Sequence, residues 1–191
     1  STSTCDRCHG RGQIVDTPCK TCDGKGKIRR QKTIEISVPA GIDDDQILNV
    51  GGKGNAGSNG GPNGDLHVYI TVRPHAIFTR RGNDVWCDMP ITFTQAALGA
   101  EVTVPTLDGK VSYTVHEGTQ PGDVFKLKGK GIQSINGRGR GDQYVRVTVE
   151  VPKNLSKRQK ELLQEFEQNA DEKNYQKRKS FFGKIKDLFE D

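Results

Sequence analysis

One stretch of this sequence repeats another without a gap. Gly52-Lys53-Gly54 returns as Gly129-Lys130-Gly131, 77 positions later, and at that offset Val38 matches Val115, Gly41 matches Gly118, and Gly64-Asp65 match Gly141-Asp142. Val68, Ile70 and Val72 fall on Val145, Val147 and Val149. A chain that repeats itself in register over about forty residues contains two copies of one structural unit. The copies read as β. Ile34, Ile36 and Val38 alternate with polar residues, as do Leu66, Val68, Ile70 and Val72, and then Val145, Val147, Val149 and Val151. That period of two puts one row of side chains on a core face. Glycine-rich segments at 51–64 and 129–141 separate the runs.

The copies differ at their start. The second opens with residues 85–104, which include Pro90-Ile-Thr-Phe-Thr-Gln-Ala-Ala-Leu-Gly99, ahead of a strand at 111–115. The matching positions of the first copy fall in a cysteine-rich segment that looks nothing like it. The first unit is therefore expected to be incomplete, with its opening strands upstream of residue 1. The expected divisions are a cysteine module at 1–28, an incomplete first β-domain at 29–75, a second β-domain at 76–152 and a helical segment at 153–191.

The cysteine module has its own repeat. Cys5-x-x-Cys8-x-Gly10-x-Gly12 recurs as Cys19-x-x-Cys22-x-Gly24-x-Gly26. The module has almost nothing apolar, so a hydrophobic core cannot hold it together and a metal is the natural staple. Four thiols in two pairs suit tetrahedral Zn²⁺, with Cys5, Cys8, Cys19 and Cys22 as ligands. The glycines after each pair allow a turn of positive φ that aims amides at the thiolates. His9 reads as a surface residue. A thioredoxin-like use of the pairs would want a helix after one of them, and no helical pattern follows either.

Mean hydropathy is −0.70, and no apolar run approaches the ~18–20 residues of a membrane span. The net charge is +5, and residues 1–32 carry all of it, with eight basic against three acidic side chains. Four thiolates around one Zn²⁺ would offset much of that charge, and without interleaved aromatics Arg29, Arg30 and Lys32 read as a solvated face rather than a nucleic-acid surface. Clustered C-x-x-C pairs point to a reducing, cytoplasmic setting. Gly52-x-Gly54-x-x-Gly57 imitates a dinucleotide fingerprint, but the sequence after it cannot open a helix. No histidine has a triad partner, Cys87 reads as a small packed side chain, and no catalytic residue is expected.

The end of the chain is helical. Ser156-x-x-Gln159 is a capping box, and Leu155, Leu162, Leu163 and Phe166 mark one helix face. Phe181, Phe182, Ile185, Leu188 and Phe189 form a second short stripe, suited to a partner helix.

Taken in order, the C-x-x-C-x-G-x-G repeats, Val38-Pro-Ala-Gly-Ile-Asp43, Gly64-Asp-Leu66, Arg73-Pro-His75, Ala97-Leu-Gly99, Val104-Pro-Thr-Leu-Asp-Gly109 and Gly129-Lys-Gly131 resemble the C-terminal part of the DnaJ family of class A J-domain co-chaperones. The resemblance implies a mainly β fold: two tandem β-sandwich-like client-binding domains, a zinc module and a C-terminal helical dimerisation segment. It implies binding of unfolded polypeptides, prevention of their aggregation, and delivery to an ATP-driven DnaK-type chaperone that works with a nucleotide exchange factor. No His-Pro-Asp tripeptide is present, so stimulation of the partner ATPase is not expected here. In the family the first cysteine motif shares a metal with the fourth and the second with the third. The two motifs here look like the third and fourth, which would assign Cys5/Cys8 and Cys19/Cys22 to different ions. The expectation adopted is one adapted zinc site joining both pairs. Ile34 and Val68 are nominated as client-cleft residues, and a homodimer through the tail stripe is expected. A zinc-ribbon nucleic-acid binder and a thiol–disulfide exchange protein stand as alternatives.

Overall fold

A computed structural model describes residues 3–189 except 11, 13, 15 and 59, so the outermost residues of the first and last expected divisions lie outside the described residues. The chain is mainly β and separates into two units, one made of residues 1–38 and 44–71, the other of 39–43 and 72–191.

In the first unit, β1 (Ile47–Val50) pairs antiparallel with β2 (Leu66–Tyr69), and together they form a two-stranded sheet. The strand expected at 33–38 is absent, although its alternation is real: Ile34 and Ile36 are half-buried while Val38 is 55% exposed. Alternation describes side chains, but a strand also needs a backbone partner, and no described segment offers 33–38 a ladder.

The second unit holds the core. β3 (Thr79–Arg81), β4 (Asp84–Thr92), β7 (Val124–Leu127) and β8 (Gln143–Glu150) form one sheet in the order β3-β4-β8-β7. β4 and β8 run parallel, so the chain must cross over between them. The crossover contains α1 (Phe93–Leu98) and the hairpin of β5 (Ala100–Thr106) with β6 (Gly109–Val115). The helix interrupts a stretch read as β throughout. Its signal was present in the sequence: Thr92 and Gln95 make a capping box, with Thr92 Oγ1 accepting from Gln95 N at 3.1 Å and Thr92 N donating to Gln95 Oε1 at 2.9 Å. Cys87, Met89 and Ile91 of β4, Val145 and Val147 of β8, Ala96 of α1, and Val104 and Val115 of the hairpin close one core. Gln143 is fully buried among them, and its Nε2 donates to Pro105 O at 2.8 Å, tying hairpin to sheet.

A second tie is ionic. Arg140 clasps Asp108 at the hairpin tip with two bonds of 2.8 and 2.9 Å, and Lys130 lies 3.5 Å away. Bonds from Arg140 first, then Lys130, hold the Asp108 carboxyl below its usual value. A depressed carboxylate adds stability that is whole above about pH 4 and is lost as pH falls through the lowered native value. Acid should therefore loosen the hairpin. Asp108→Asn is expected to raise amide exchange over 100–115 at neutral pH by roughly two- to fivefold, as befits an exposed ion pair, and to abolish its acid dependence.

Beyond the sheet, α2 (Lys157–Asn169) starts at the expected Ser156 cap, where Ser156 N donates to Gln159 Oε1 at 2.8 Å. A 3-10 turn at Glu172–Asn174 and α3 (Gln176–Phe189) follow. No described helix is long and apolar enough to cross a membrane.

Candidate functional site

The repeat survives in the atoms. β1 pairs with β2 as Ile47↔Tyr69, Leu48↔Val68, Asn49↔His67 and Val50↔Leu66, and each pair recurs 77 positions later between β7 and β8, from Val124↔Arg146 to Leu127↔Gln143. The glycine-rich loops agree as well. Gly54 N donates to Gly64 O at 2.7 Å and Gly131 N to Gly141 O at 2.8 Å. Gly52 N reaches Asp65 Oδ1 at 2.9 Å and Gly129 N reaches Asp142 Oδ1 at 2.7 Å. Those amides, ahead of Asn49 in one copy and Lys126 in the other, are the main reason both carboxyls are held below their usual value. The Gly52–Gly57 stretch forms a turn and loop with no helix after it.

The surroundings of the two copies differ. Val145 and Val147 are 0% and 1% exposed because β4 and the hairpin cover them. Their counterparts Val68 and Ile70 are only half-buried, as are Leu48, Val50 and Leu66 on the same face. No described residue of the first unit is fully buried. The opposite face carries Ile47 and Tyr69, 52% and 74% exposed. The unit thus presents a small sheet with an apolar face that no core closes. Val68, nominated from the sequence, lies in the middle of that face, and Ile34 sits outside any strand.

The cysteine pairs form two matching turns. His9 N donates to Cys5 O and Asp23 N to Cys19 O, both at 2.8 Å. His9, Gly10 and Gly12 take positive φ of 47°, 84° and 71°, and Asp23, Gly24 and Gly26 take 49°, 76° and 70°. Glycine is needed there for the reason anticipated: left-handed backbone is strained for most side chains. Bonds from the Thr21 and Cys22 amides, in that order, with smaller help from the Cys22 and Thr21 side chains, draw the Cys19 thiol down to about 7. A structural zinc site needs four donors around one ion. Among the described residues no three His, Cys, Asp or Glu side chains gather in that way.

The tail stripe is open. Phe181, Phe182, Leu188 and Phe189 are 60%, 56%, 75% and 82% exposed, and Ile185 is half-buried. Cys87 is buried in the core of the second unit, with burial raising its thiol. One feature escaped the sequence reading. On the outer face of the β3–β4–β8–β7 sheet, Trp86 stacks on Tyr144 at 4.8 Å and Arg81 lies 4.6 Å above the indole. The clue was Trp86 falling between the core-facing Val85 and Cys87.

Comparison with known proteins bears on all these features. A family model described as DnaJ C terminal domain matches residues 6–152, and one described as Chaperone protein DnaJ C-terminal region matches residues 158–191. The chain is 58% identical to the Chaperone protein DnaJ of Ruminiclostridium cellulolyticum, over 99% of this chain and 50% of the relative. Identity to the Acetivibrio thermocellus protein of the same name is 54%, over 96% and 48%, and to that of Methylorubrum populi 46%, over 97% and 49%. The chain spans about half the length of the curated relatives it matches.

Proposed function

The chain belongs to the DnaJ family, and from that premise we propose that it is the polypeptide-binding region of a DnaJ-type co-chaperone, which binds unfolded chains, limits their aggregation and passes them to a DnaK-type ATPase. One observation carries the reading: the apolar face of the first unit's sheet is only half-buried where the second unit fully buries the positions matching Val68 and Ile70. Exposed apolar surface on a small sheet suits segments of unfolded chain, and strand addition through main-chain bonds tolerates many sequences. Hand-over to DnaK, which works with its own nucleotide exchange factor, belongs to the whole protein, in the cytoplasm. No observation favours the nucleic-acid or thiol-exchange alternatives.

Val68→Asp tests the site. It should abolish capture of a permanently unfolded model polypeptide while the sheet stays folded, and wild-type capture should persist from low to moderate salt, because apolar contacts are not released by counterions as phosphate contacts are. Collapse of wild-type capture with salt, or unfolding of the first unit by the substitution, would count against the assignment.

The tail supplies the assembly. The Phe181, Phe182, Ile185, Leu188 and Phe189 stripe pairs two chains, since a large apolar patch at a helical end is costly to leave in water. Removing 153–191 should give a folded monomer by light scattering, and a deletion variant that remains dimeric would move the interface elsewhere. Zinc enters this reading only as an ion that the Cys5/Cys8 and Cys19/Cys22 pairs would hold, each pair supplying two of the four donors a structural ion takes.

A further inference from the structure

The two tail helices differ in their chemistry. α2 balances its charges, with Lys157, Arg158 and Lys160 against Glu161, Glu165 and Glu167. Its Phe166 meets Phe93 of α1 edge to face at 6.3 Å, so part of its apolar face already has a protein partner. α3 carries five basic residues against one acidic. Its described ion pairs run only to the segment ahead of it, Arg178 lying 3.8 Å from Glu167 and Lys179 3.4 Å from Glu172.

The cations of α3 are ordered around its apolar residues. At about 3.6 residues per turn, Phe181, Phe182, Ile185, Leu188 and Phe189 fall within an arc of about 120°. Lys177 and Lys184 lie along one border of that arc and Lys179 lies beyond the other, while Gln176, Ser180 and Gly183 take the far side. Arg178 falls inside the arc, where its guanidinium stands 6.0 Å over the Phe182 ring. A side chain of that length buries its stem and keeps its head group at the edge of an apolar layer.

An apolar arc bordered by cations on both sides suits a helix lying in the surface of an anionic bilayer. A second α3 could cover the arc, but it would repeat the same cations along the seam, whereas anionic headgroups neutralise them. A phosphate backbone would satisfy the cations and leave five large apolar side chains in water. The helix has 14 residues, a length of about 21 Å, short of the ~30 Å needed to span, so it lies in the plane of the surface.

We propose that α3 binds the surface of a bilayer containing anionic lipid, with its apolar arc among the acyl chains and Lys177, Lys179 and Lys184 at the headgroups. The inference builds on the tail reading above: at a membrane, the bilayer takes the stripe that pairs two chains in water.

The probe is a vesicle of phosphatidylglycerol and phosphatidylcholine, with pure phosphatidylcholine for comparison, mixed with the full 191-residue chain and separated by flotation. The chain should bind the anionic vesicles at least tenfold more tightly than the neutral ones. Changing Lys177, Lys179 and Lys184 together to Gln should weaken binding about a hundredfold, at roughly fivefold for each cation near an anionic surface. Leu188→Ser should weaken it at least tenfold. A Phe182→Trp chain should be quenched by brominated acyl chains, and the wild-type chain, whose one tryptophan is Trp86 in β4, should not. The triple-lysine variant should keep its mass by light scattering in lipid-free buffer and its capture of an unfolded polypeptide, so failure of the pairing or of the proposed function reads out separately from failure here. Equal binding to neutral vesicles, unchanged affinity in the triple-lysine or Leu188→Ser variant, or absence of quenching at Phe182→Trp would each overturn the proposal.

Discussion

Gly141→Val should cripple the second unit, and the identical change at its repeat partner Gly64 should leave the molecule as it was. Little local separates the two glycines: Pro62 comes two residues before Gly64 where Gly139 comes two before Gly141, but each glycine precedes an aspartate whose carboxylate caps a glycine amide, and donates its own amide across the loop, Gly64 N to Asn55 O at 2.9 Å and Gly141 N to Ile132 O at 3.0 Å. The difference is the Asn83 carbonyl, which lies where a Cβ at 141 would stand, with Asp84 Oδ1 2.8 Å from the same point. Backbone cannot move aside as a flexible side chain can, so the substitution must separate β4 from β8 at their shared start. The expected loss is about 3 kcal/mol, at the upper end of overpacking, against about 0.5 kcal/mol or less at Gly64. Trp86 is the one tryptophan of the chain and lies in β4, so thermal unfolding followed by its fluorescence reports on the second unit alone. An unchanged melting midpoint for Gly141→Val would mean that the β4 entry is looser than the structure has it.

Val145→Asp should be more damaging still. Val145 is 0% exposed, between Cys87 of β4 and Phe125 of β7 in the ladder, no cation sits in that cluster, and the buried donor near it, Gln143 Nε2, is already bonded to Pro105 O. Burying an unpaired charge there costs about 4 kcal/mol or more, enough to leave a unit of ordinary stability largely unfolded at room temperature. Val68→Asp places the same side chain at the same point of the repeat, opposite Leu48 where Val145 faces Phe125. Its face is only half-buried, so the carboxylate can keep contact with water and the expected cost is about 1 kcal/mol, the loss of one partly buried valine. Urea unfolding monitored at Trp86 should collapse for Val145→Asp, whereas amide exchange over β1 and β2 should rise only about fivefold for Val68→Asp, the equivalent of about 1 kcal/mol. A Val145→Asp chain that kept a cooperative wild-type transition would contradict the placement of the core.

These paired outcomes separate what a sequence pattern encodes from what its neighbours add. The 77-residue offset predicted two copies of one β unit, and the copies agree to the level of ladder register and loop hydrogen bonds, because both are set by contacts within about twenty-five residues: the glycine turns, the Asp65 and Asp142 carboxylates, and the facing strands. The capping boxes at Thr92 and Ser156 are equally local, although the first lies inside a segment whose alternation resembles a strand. The left-handed turns after Cys8 and Cys22 follow from glycine spacing alone.

Segment 33–38 shows the limit of such reading. Its Ile34, Ile36 and Val38 alternate as well as the residues of β2 do, yet the first forms no strand and the second does. Pairing is a property of two segments, and alternation in one says nothing about whether the other is at hand.

By itself the sequence determined the repeat, its internal register, the turns, the caps and the family, since each depends on which residues stand at fixed short separations. The repeat also marked the first copy as lacking a match to residues 85–104, and tertiary structure decided what those residues do in the second, where they cover the sheet as a parallel strand, a helix and a hairpin strand. Val68 and Val145 are the same residue in the same local frame, and only the second lies beneath a parallel strand and a hairpin. Burial is supplied by whatever packs against a face, and that partner is not encoded in the face itself.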